Sequence, residues 1–427
     1  MQEDFLHYLW RFKKLPFSQM TSTDGKVVSI VDFGMYNQHT GPDFFNARIL
    51  IGEQLWAGNV EMHLKSSDWY AHGHELDKNY DNVILHVVWE DDVDVFRMDG
   101  SKVSTLCLRD YVPGGLLGAY HRLKSKQGKK FVNCEGDLKD TDTVTVRGWL
   151  QRLYIERLQH KSNRVQELLR TSRNNWEAVL FTLLLKGFGS NVNGEAFLQM
   201  AKRMDFSVVR KIGRDAFQLE SVFFGLSGLL QDEGHLDTYH AKLRKEYQYL
   251  AKKFSLDATG IPAPGFFRLR PSNFPTVRLS QLADLYAKND SLFQELMHAP
   301  DANSLRGLLS CTASTYWDTH YTFGKTTGKR TKGLTESFKD ILLINAILPV
   351  KFCYGAYMGK PVEDFVISLA SGIPTEKNSI VARFIELGLP VDHAMDSQSV
   401  LELYHTYCTH NRCMQCAIGT SLLTEKM

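Results

Sequence analysis

The sequence lacks three features that would assign it to a broad class at once: an excess of one charge, a long apolar run and an export signal. Its 50 basic and 48 acidic side chains leave a formal net charge of +2, so any electrostatic argument for nucleic-acid binding must be local. The most apolar stretch, residues 341–350, is interrupted by Asn345 and is too short to cross a bilayer. The first residues, MQED, carry no basic segment ahead of an apolar one. We therefore expect a cytoplasmic protein that does not contact membranes.

Cysteine is scarce, and the count of seven is odd. Without an export signal, this favours reduced thiols, and metal binding over disulfides. Cys408, Cys413 and Cys416 have the spacing C-x4-C-x2-C, and the close pair has the knuckle spacing of zinc and iron–sulfur sites. The candidates for a fourth ligand are His405, His410 and Cys353. The alternative is a helix with three small thiols that only pack in a core. If a metal binds here, we expect it to be structural.

Length and periodicity predict the domain organisation. The 427 residues are 43% hydrophobic and 23% charged, which is ordinary for a globular protein of two or three domains. Strand-like patterns dominate up to about residue 110, whereas a helical period dominates after Cys134. We predict an α+β protein, with a mixed-sheet domain over residues 1–135 and a larger all-helical domain over residues 136–427 that carries the C-terminal cysteines.

Individual elements follow from the same patterns. The predicted N-terminal elements are a helix over 3–12, strands over 26–33, 46–51, 56–64 and 83–89, and a hairpin over 93–108. The predicted helices of the second domain cover 144–169, 176–185, 217–230, 239–254, 277–286, 338–348 and 379–387.

The chemistry-bearing residues concentrate between Gly41 and Asp92. Asp43 precedes a strand, and Glu61 lies on the next strand across a predicted hairpin, so the two carboxylates can approach each other. His63 and Lys65 follow Glu61 at intervals of two and share its strand face. Paired carboxylates suit magnesium or manganese. A basic group beside such a metal would assist phosphodiester hydrolysis. The alternative is that Asp43 caps a turn and that Glu61 and Lys65 form a solvated edge.

Three further histidines lie in the same stretch. His72 and His74, in a polar segment with Asp68 and Asp77, form a candidate second metal site that could hold zinc. The alternative is a solvated loop, because H-x-H spacing is common by chance. His86 sits inside an apolar strand. It is either a core histidine with a backbone partner or a residue that points toward Glu61.

A third group of residues is cationic. Arg268, Arg270 and Arg278 fall in a proline-containing segment that leads into a predicted helix. Guanidinium forks suit phosphate oxygens, so these arginines are candidates for nucleic-acid binding. The alternative is that they tie the loop to the helical domain.

The hairpin of Pro42-Asp43 and Glu61-x-His63 resembles the PD-(D/E)xK nuclease superfamily. The resemblance implies a restriction-endonuclease-like fold, with Asp43 and Glu61 as metal ligands and Glu3 on the first helix as an additional acid. The sequence departs from the pattern at His63, where the superfamily has lysine. The resemblance leaves two substitutes for that lysine, His63 itself or Lys65.

The chain also resembles an uncharacterised bacterial family of unknown function over nearly its whole length. The segments that carry this resemblance are Gly41–Phe44, Asn59–His63, Ser66–Trp69, Leu85–Val88, Arg268–Pro275 and Cys413–Cys416. The resemblance implies no function.

Three functional hypotheses follow. The first is a magnesium- or manganese-dependent nuclease that cleaves DNA or RNA, with Asp43, Glu61, His63 and Lys65 as its catalytic residues. The second is an inactive module on the same fold that binds nucleic acid or protein. The third is a zinc hydrolase built on His63, His72, His74 and His86. Zinc or an iron–sulfur cluster at the C-terminal cysteines is compatible with each hypothesis, and the oligomeric state is left open.

Overall fold

The computed structural model describes residues 1–18, 20–37, 39–124, 130–231 and 237–424. These residues form two compact units. The first contains Met1–Trp149, Glu386–Leu389 and Leu403–Met427, and the second contains Leu150–Ile385 and Pro390–Glu402. The division differs from the predicted one, because the C-terminal residues with their three cysteines belong to the first unit.

The first unit is built on a mixed seven-stranded sheet. Its strands run in the order β1-β2-β4-β5-β6-β7, and β3 pairs with β4. The pairs from β1 to β5 are antiparallel, whereas β5, β6 and β7 are parallel. The strands are β1 (Met20–Thr21), β2 (Val27–Asp32), β3 (Met35–Tyr36), β4 (Phe44–Ile51), β5 (Gln54–Lys65), β6 (Val83–Glu90) and β7 (Ser104–Cys107).

The sequence explains the centre of this sheet. A tight turn at Gly52, with φ of 63°, joins β4 to β5 as predicted. β6 is apolar almost throughout and is buried from Val83 to Val88, as expected of an inner parallel strand. The hairpin predicted over 93–108 does not form as two paired strands. Instead, Phe96 and Lys102 make an isolated bridge, and β7 pairs with β6.

Short helices accompany the sheet. Helix α1 (Glu3–Arg11) buries Phe5, Leu6, Leu9 and Trp10, the face that the sequence predicts, and it packs on β5 and β6. The remaining helices of this part of the chain are α2 (Asp68–Ala71), in the crossover from β5 to β6, and α3 (Gly114–Lys124). Helix α17 (Ala417–Thr424) returns from the C-terminus to pack on α3.

The rest of the described chain is helical apart from one short hairpin, β8 (His320–Thr322) with β9 (Lys325–Thr326). The expected α+β class, a mixed sheet followed by a larger helical region, is therefore confirmed. The helices are α4 (Thr143–Thr171), α5 (Trp176–Arg203), α6 (Phe206–Ile212), α7 (Ala216–Leu226), α8 (Thr238–Phe254), α9 (Pro275–Lys288), α10 (Leu292–His298), α11 (Ala302–Leu308), α12 (Glu336–Leu342), α13 (Leu348–Tyr357), α14 (Glu363–Ser371), α15 (Ser379–Glu386) and α16 (Ala394–Glu402).

One helical run among the described residues, Glu336–Tyr357, has the length and apolar composition to cross a membrane. It joins α12 and α13 through a π-helical segment at Leu343–Ile347. However, 67% of its apolar window is buried inside the protein. A core helix passes the same test of length and composition, so the run is weak evidence for a membrane segment.

Candidate metal centre

A β-bulge brings Asp43 beside Glu61. Phe44 pairs with Val60 and Ala47 with Gly58, so β4 contains one residue more than β5 between these pairs. Asn46 takes up the extra length with a left-handed φ of 58°. Asp43 then lies opposite Glu61. Its backbone N–H donates to Glu61 Oε2 at 3.1 Å, and its carboxylate Oδ2 accepts from the Met62 N–H at 3.0 Å.

A second bulge turns His86 toward the same place. β5 and β6 pair at Asn59 with Val83 and at Val60 with Leu85, so β6 contains one extra residue between these pairs. Beyond this bulge, Glu61 is paired with His86. The two side chains therefore share a face of the sheet, and His86 Nε2 lies 2.8 Å from His63 Nδ1.

The crossover between β5 and β6 supplies two more imidazoles. Asp68 begins α2 and accepts a hydrogen bond from the Lys65 backbone N–H at 3.0 Å. His72 ends this single helical turn. Gly73 follows with a left-handed φ of 72°, and the chain then enters a 3₁₀ turn at His74. The Tyr80 ring stacks on His74 with centroids 3.7 Å apart. The short turn thus directs both histidines of the H-x-H motif back toward the sheet.

Four donor atoms converge at this point. His63 Nε2 lies 3.0 Å from His72 Nδ1 and 3.5 Å from Glu61 Oε1. His74 Nε2 lies 3.4 Å from the same Glu61 oxygen. Ligand atoms of the three histidines all lie within 4.8 Å of one another. Donors bound at about 2.0–2.1 Å to one tetrahedral ion are roughly 3.3 Å apart, so three of the measured separations fit a single metal.

Burial sets the charge of this group. His63 is 2% exposed and Glu61 is 6% exposed. Burial, together with the negative charge of Asp43, raises the pKa of the Glu61 carboxyl to about 9. Burial also lowers the pKa of His63 far below its ordinary value, and the nearby imidazoles of His86 and His74 add to this effect. The pKa values of His74 and His86 are likewise lowered by burial. At neutral pH the imidazoles of His63, His74 and His86 are therefore uncharged, which is the form that binds metals.

Helix α1 adds an acid–base pair at the more exposed side of the site. His7 Nε2 lies 3.2 Å from Asp43 Oδ2, and both side chains are about one-fifth exposed. Burial alone would lower the pKa of His7, but the close and negatively charged Asp43 carboxylate outweighs this effect, and the net shift is upward. Glu3, one turn earlier on the same helix face, has its pKa raised by burial and by the charge of Asp43.

The sequence profile of one protein family, described as "Protein of unknown function (DUF2851)", matches residues 3–379. The chain belongs to this family. The match contains every residue of the histidine–carboxylate site of this DUF2851 chain and ends before Cys408. No match was found among curated proteins or among solved structures.

The structure brings most of the predicted N-terminal residues together, but it separates Lys65 from them. Asp43, Glu61, His63, His72 and His74 form one cluster in this DUF2851 chain instead of two sites. Lys65 is exposed at the end of β5, and its backbone N–H bonds to Asp68.

The arginines predicted to bind nucleic acid lie in the second unit and differ in exposure. Arg278 is 5% exposed. Its guanidinium donates to Gln281 Oε1 at 2.9 Å and to Asn273 Oδ1 at 2.7 Å, and it lies over the Phe338 ring. Arg278 therefore holds its own loop and helix together, which corrects its expected availability to phosphate. Arg268 and Arg270 are exposed.

Sequence reasoning missed His7 and left His86 undecided. His7 sits on a helix that was interpreted by its apolar face, although its spacing of four residues from Glu3 places the two on one side. The partner of His86 depends on the bulge in β6, which no sequence pattern marks. Trp69 was also missed. Its indole is fully buried, with ring centroids 5.4 Å from those of His74 and His86.

Proposed function

We propose that this protein is a metal-dependent hydrolase whose metal is held by His63, His72, His74 and Glu61. The observation that carries the proposal is the convergence of three imidazoles and one carboxylate. Three of the separations between their donor atoms are 3.0–3.5 Å, and the histidine ligand atoms all lie within 4.8 Å of one another. His63 and His74 are buried, uncharged histidines, whereas His72 is exposed. Burying polar imidazoles next to one another is unfavourable, and a shared ion would offset this cost.

The ligand set favours a metal that accepts imidazole. Three histidines and one carboxylate suit zinc, and also manganese or ferrous iron, better than magnesium, which prefers oxygen ligands. This shifts the metal expected from the sequence away from magnesium. It also gives His63 a role. A neutral imidazole cannot replace the positive charge of a lysine, but it can bind a metal.

Such a metal would lower the pKa of a bound water and polarise the substrate. Two side chains would complete the site: Asp43 would position His7, and His7 would transfer a proton. Asp43, fixed by the Met62 N–H, orients His7 through the 3.2 Å contact. His7, whose pKa is raised, lies on the side of the site that solvent reaches and would transfer a proton to a leaving group there.

For the substrate we propose a phosphodiester, in DNA or RNA. Support comes from the pairing of Asp43 and Glu61 on neighbouring strands with His63 two residues further on, the arrangement in which the sequence resembles nucleases. A carboxylic ester hydrolase is the second candidate, because the same histidine ligands serve zinc enzymes that cleave acyl bonds.

The test measures metal content and hydrolysis in the same preparations. Full-length protein is reconstituted with Zn²⁺, Mn²⁺ or Mg²⁺ and assayed on bis(4-nitrophenyl) phosphate, single- and double-stranded DNA, RNA and 4-nitrophenyl acetate. His63→Ala and His74→Ala should lose the bound metal and at least a hundredfold in rate. His7→Ala should keep the metal and lose roughly 10²–10⁴-fold, the usual contribution of a general acid.

His121→Ala is the matched control, because His121 is an exposed histidine on α3 of the same unit. It should retain both metal and activity. Equal activity in His63→Ala and wild type would indicate contamination and end the proposal. Stoichiometric metal without turnover of any substrate would instead favour a binding module.

A further inference from the structure

Helix α1 carries three ionisable side chains, Glu3, His7 and Arg11, at intervals of four residues. Residues four apart lie one above another on the same face of an α-helix. His7 reaches Asp43 of the histidine–carboxylate site, with Nε2 3.2 Å from Oδ2. Arg11 follows one turn later, at a rise of roughly 6 Å along the helix axis. The helix therefore places a cation next to the more exposed side of the site.

Tyr36 contacts both His7 and Arg11. Its hydroxyl lies 3.5 Å from His7 Nδ1, and the two rings meet edge to face with centroids 5.6 Å apart. The guanidinium carbon of Arg11 lies 5.2 Å from the centroid of the same Tyr36 ring. Strand β3 fixes this tyrosine, because Tyr36 pairs with Phe44, the residue after Asp43. Arg11 is thus held beside the imidazole that would protonate the leaving group.

The guanidinium of Arg11 is available to a ligand. The residue is exposed, and it forms neither a hydrogen bond nor an ion pair with any residue that the structure describes. Its guanidinium lies instead over the rings of Tyr36 and Phe12, at 5.2 and 5.4 Å from their centroids. Contact with ring faces leaves the N–H edge of the guanidinium open, and this planar fork matches the two free oxygens of a phosphodiester.

We propose that Arg11 binds a phosphate of the substrate strand next to the one that is cleaved. The inference rests on the proposed function, and it makes the substrate a polynucleotide instead of a small diester. The cleaved phosphate would lie at the proposed metal, and His7 would protonate the leaving oxygen. The leaving strand would then continue past His7, where Arg11 is the next cation along α1. A substrate with a second phosphodiester therefore gains a contact that a substrate without one lacks.

The first experiment compares two substrates of metal-reconstituted, full-length protein. One is bis(4-nitrophenyl) phosphate, which has a single phosphate, and the other is a single-stranded oligonucleotide, tested as DNA and as RNA. Arg11→Ala should lower the ratio of kcat/KM for the oligonucleotide to kcat/KM for the small diester at least about tenfold, through a higher KM for the oligonucleotide. Arg11→Lys, which keeps the charge but not the fork, should lose less. Arg122→Ala is the matched control, because Arg122 is an exposed arginine on α3 of the same unit, and its ratio should equal that of wild type.

The second experiment measures binding without turnover. Full-length protein is treated with EDTA, its folding is checked by circular dichroism, and the anisotropy of a labelled oligonucleotide is measured at several salt concentrations. One phosphate contact contributes about 0.7 to the slope of log affinity against log salt concentration for a single strand. Arg11→Ala should weaken binding about tenfold and reduce the slope by this amount, whereas Arg122→Ala should change neither.

The inference is overturned if Arg11→Ala changes neither the substrate ratio nor the salt slope, or if Arg122→Ala has the same effects, which would indicate unspecific attraction by surface charge. A lower melting temperature with both readouts unchanged would likewise overturn it, and Arg11 would then only stabilise the end of α1. The proposed function fails in a different way, because wild type would then hydrolyse neither substrate. In that case the salt slope alone decides whether Arg11 binds the strand.

Discussion

Metal binding at the histidine centre should release a proton from Glu61. The pKa of this carboxyl is raised to about 9 because it is buried beside Asp43. At pH 7 only about 1% of the side chain is then ionised, because the pH is about two units below the pKa. A metal that binds the carboxylate must displace the proton that occupies it.

The size of the pH effect on metal affinity follows from how far the pKa of Glu61 is raised. Between pH 7 and pH 9 the apparent dissociation constant should fall about tenfold per pH unit, equivalent to about 1.4 kcal/mol per unit, and then level off. Glu61→Gln keeps the shape of the side chain and an acceptor for the Asp43 N–H but has no proton to release. Its affinity should be lower at high pH and nearly independent of pH over this range.

Isothermal titration calorimetry in buffers of different ionisation enthalpy measures the number of protons released per metal. We expect about one proton more for wild type than for Glu61→Gln at pH 7. Because both proteins carry the same cysteines, the difference isolates Glu61, and His121→Ala should behave as wild type. If wild type and Glu61→Gln release the same number of protons, Glu61 is not a ligand and the reasoning fails.

Two further predictions concern stability. In the metal-free protein, Glu61 keeps its proton in the folded state, whereas the unfolded chain loses that proton above about pH 4.5. The contribution of protonated Glu61 to the free energy of unfolding is therefore lost as the pH rises toward about 9. His63 and His86 have lowered pKa values, so their contribution to the free energy of unfolding is lost as the pH falls below about 6.5. In that range the stability lost through these two histidines exceeds the stability regained through the one carboxyl group of Glu61. Glu61→Gln should therefore reduce the Glu61-dependent loss of stability that wild type shows between about pH 4.5 and about pH 9. Denaturant midpoints of both proteins across this range measure the difference, and parallel pH profiles would contradict the assignment. Separately, Arg278→Ala should lower the free energy of unfolding by roughly 2–4 kcal/mol, because it leaves the buried Gln281 Oε1 and the partly buried Asn273 Oδ1 without their guanidinium donor. Arg270 is exposed, so Arg270→Ala should change the free energy of urea unfolding by less than about 0.5 kcal/mol. Equal effects of the two substitutions would refute the structural role of Arg278.

Local patterns were sufficient to predict the fold class and much of the site. Alternation along β5 correctly places Glu61 and His63 on one face, and the Gly52 turn correctly pairs β4 with β5. These predictions succeed because the period of two and the turn geometry are properties of short segments. The helices of the second part were found for the same reason, although α5 extends well beyond the predicted residues 176–185.

The remaining features depend on contacts that a single sequence does not encode locally. One extra residue in β6 decides whether His86 faces Glu61 or the opposite side of the sheet. Asn133 donates a hydrogen bond to Cys413, 280 residues away in the sequence, so spacing rules could not find this neighbour. Arg278 looks like a phosphate ligand by composition, but tertiary packing buries it.

The linked imidazoles of His72, His63 and His86 have a consequence for His86, which the proposed metal would not contact. His86, His63 and His72 are linked ring to ring at 2.8 and 3.0 Å, from the interior outward. An ion on His63 Nε2 would leave the ring proton on Nδ1, where it must be donated to His86 Nε2. His86 would then carry its own proton on Nδ1, which has no hydrogen-bond partner among the described residues. The tautomer of a fully buried histidine thus becomes a reporter of occupancy, and nitrogen chemical shifts of His86 would register the ion from one ring away.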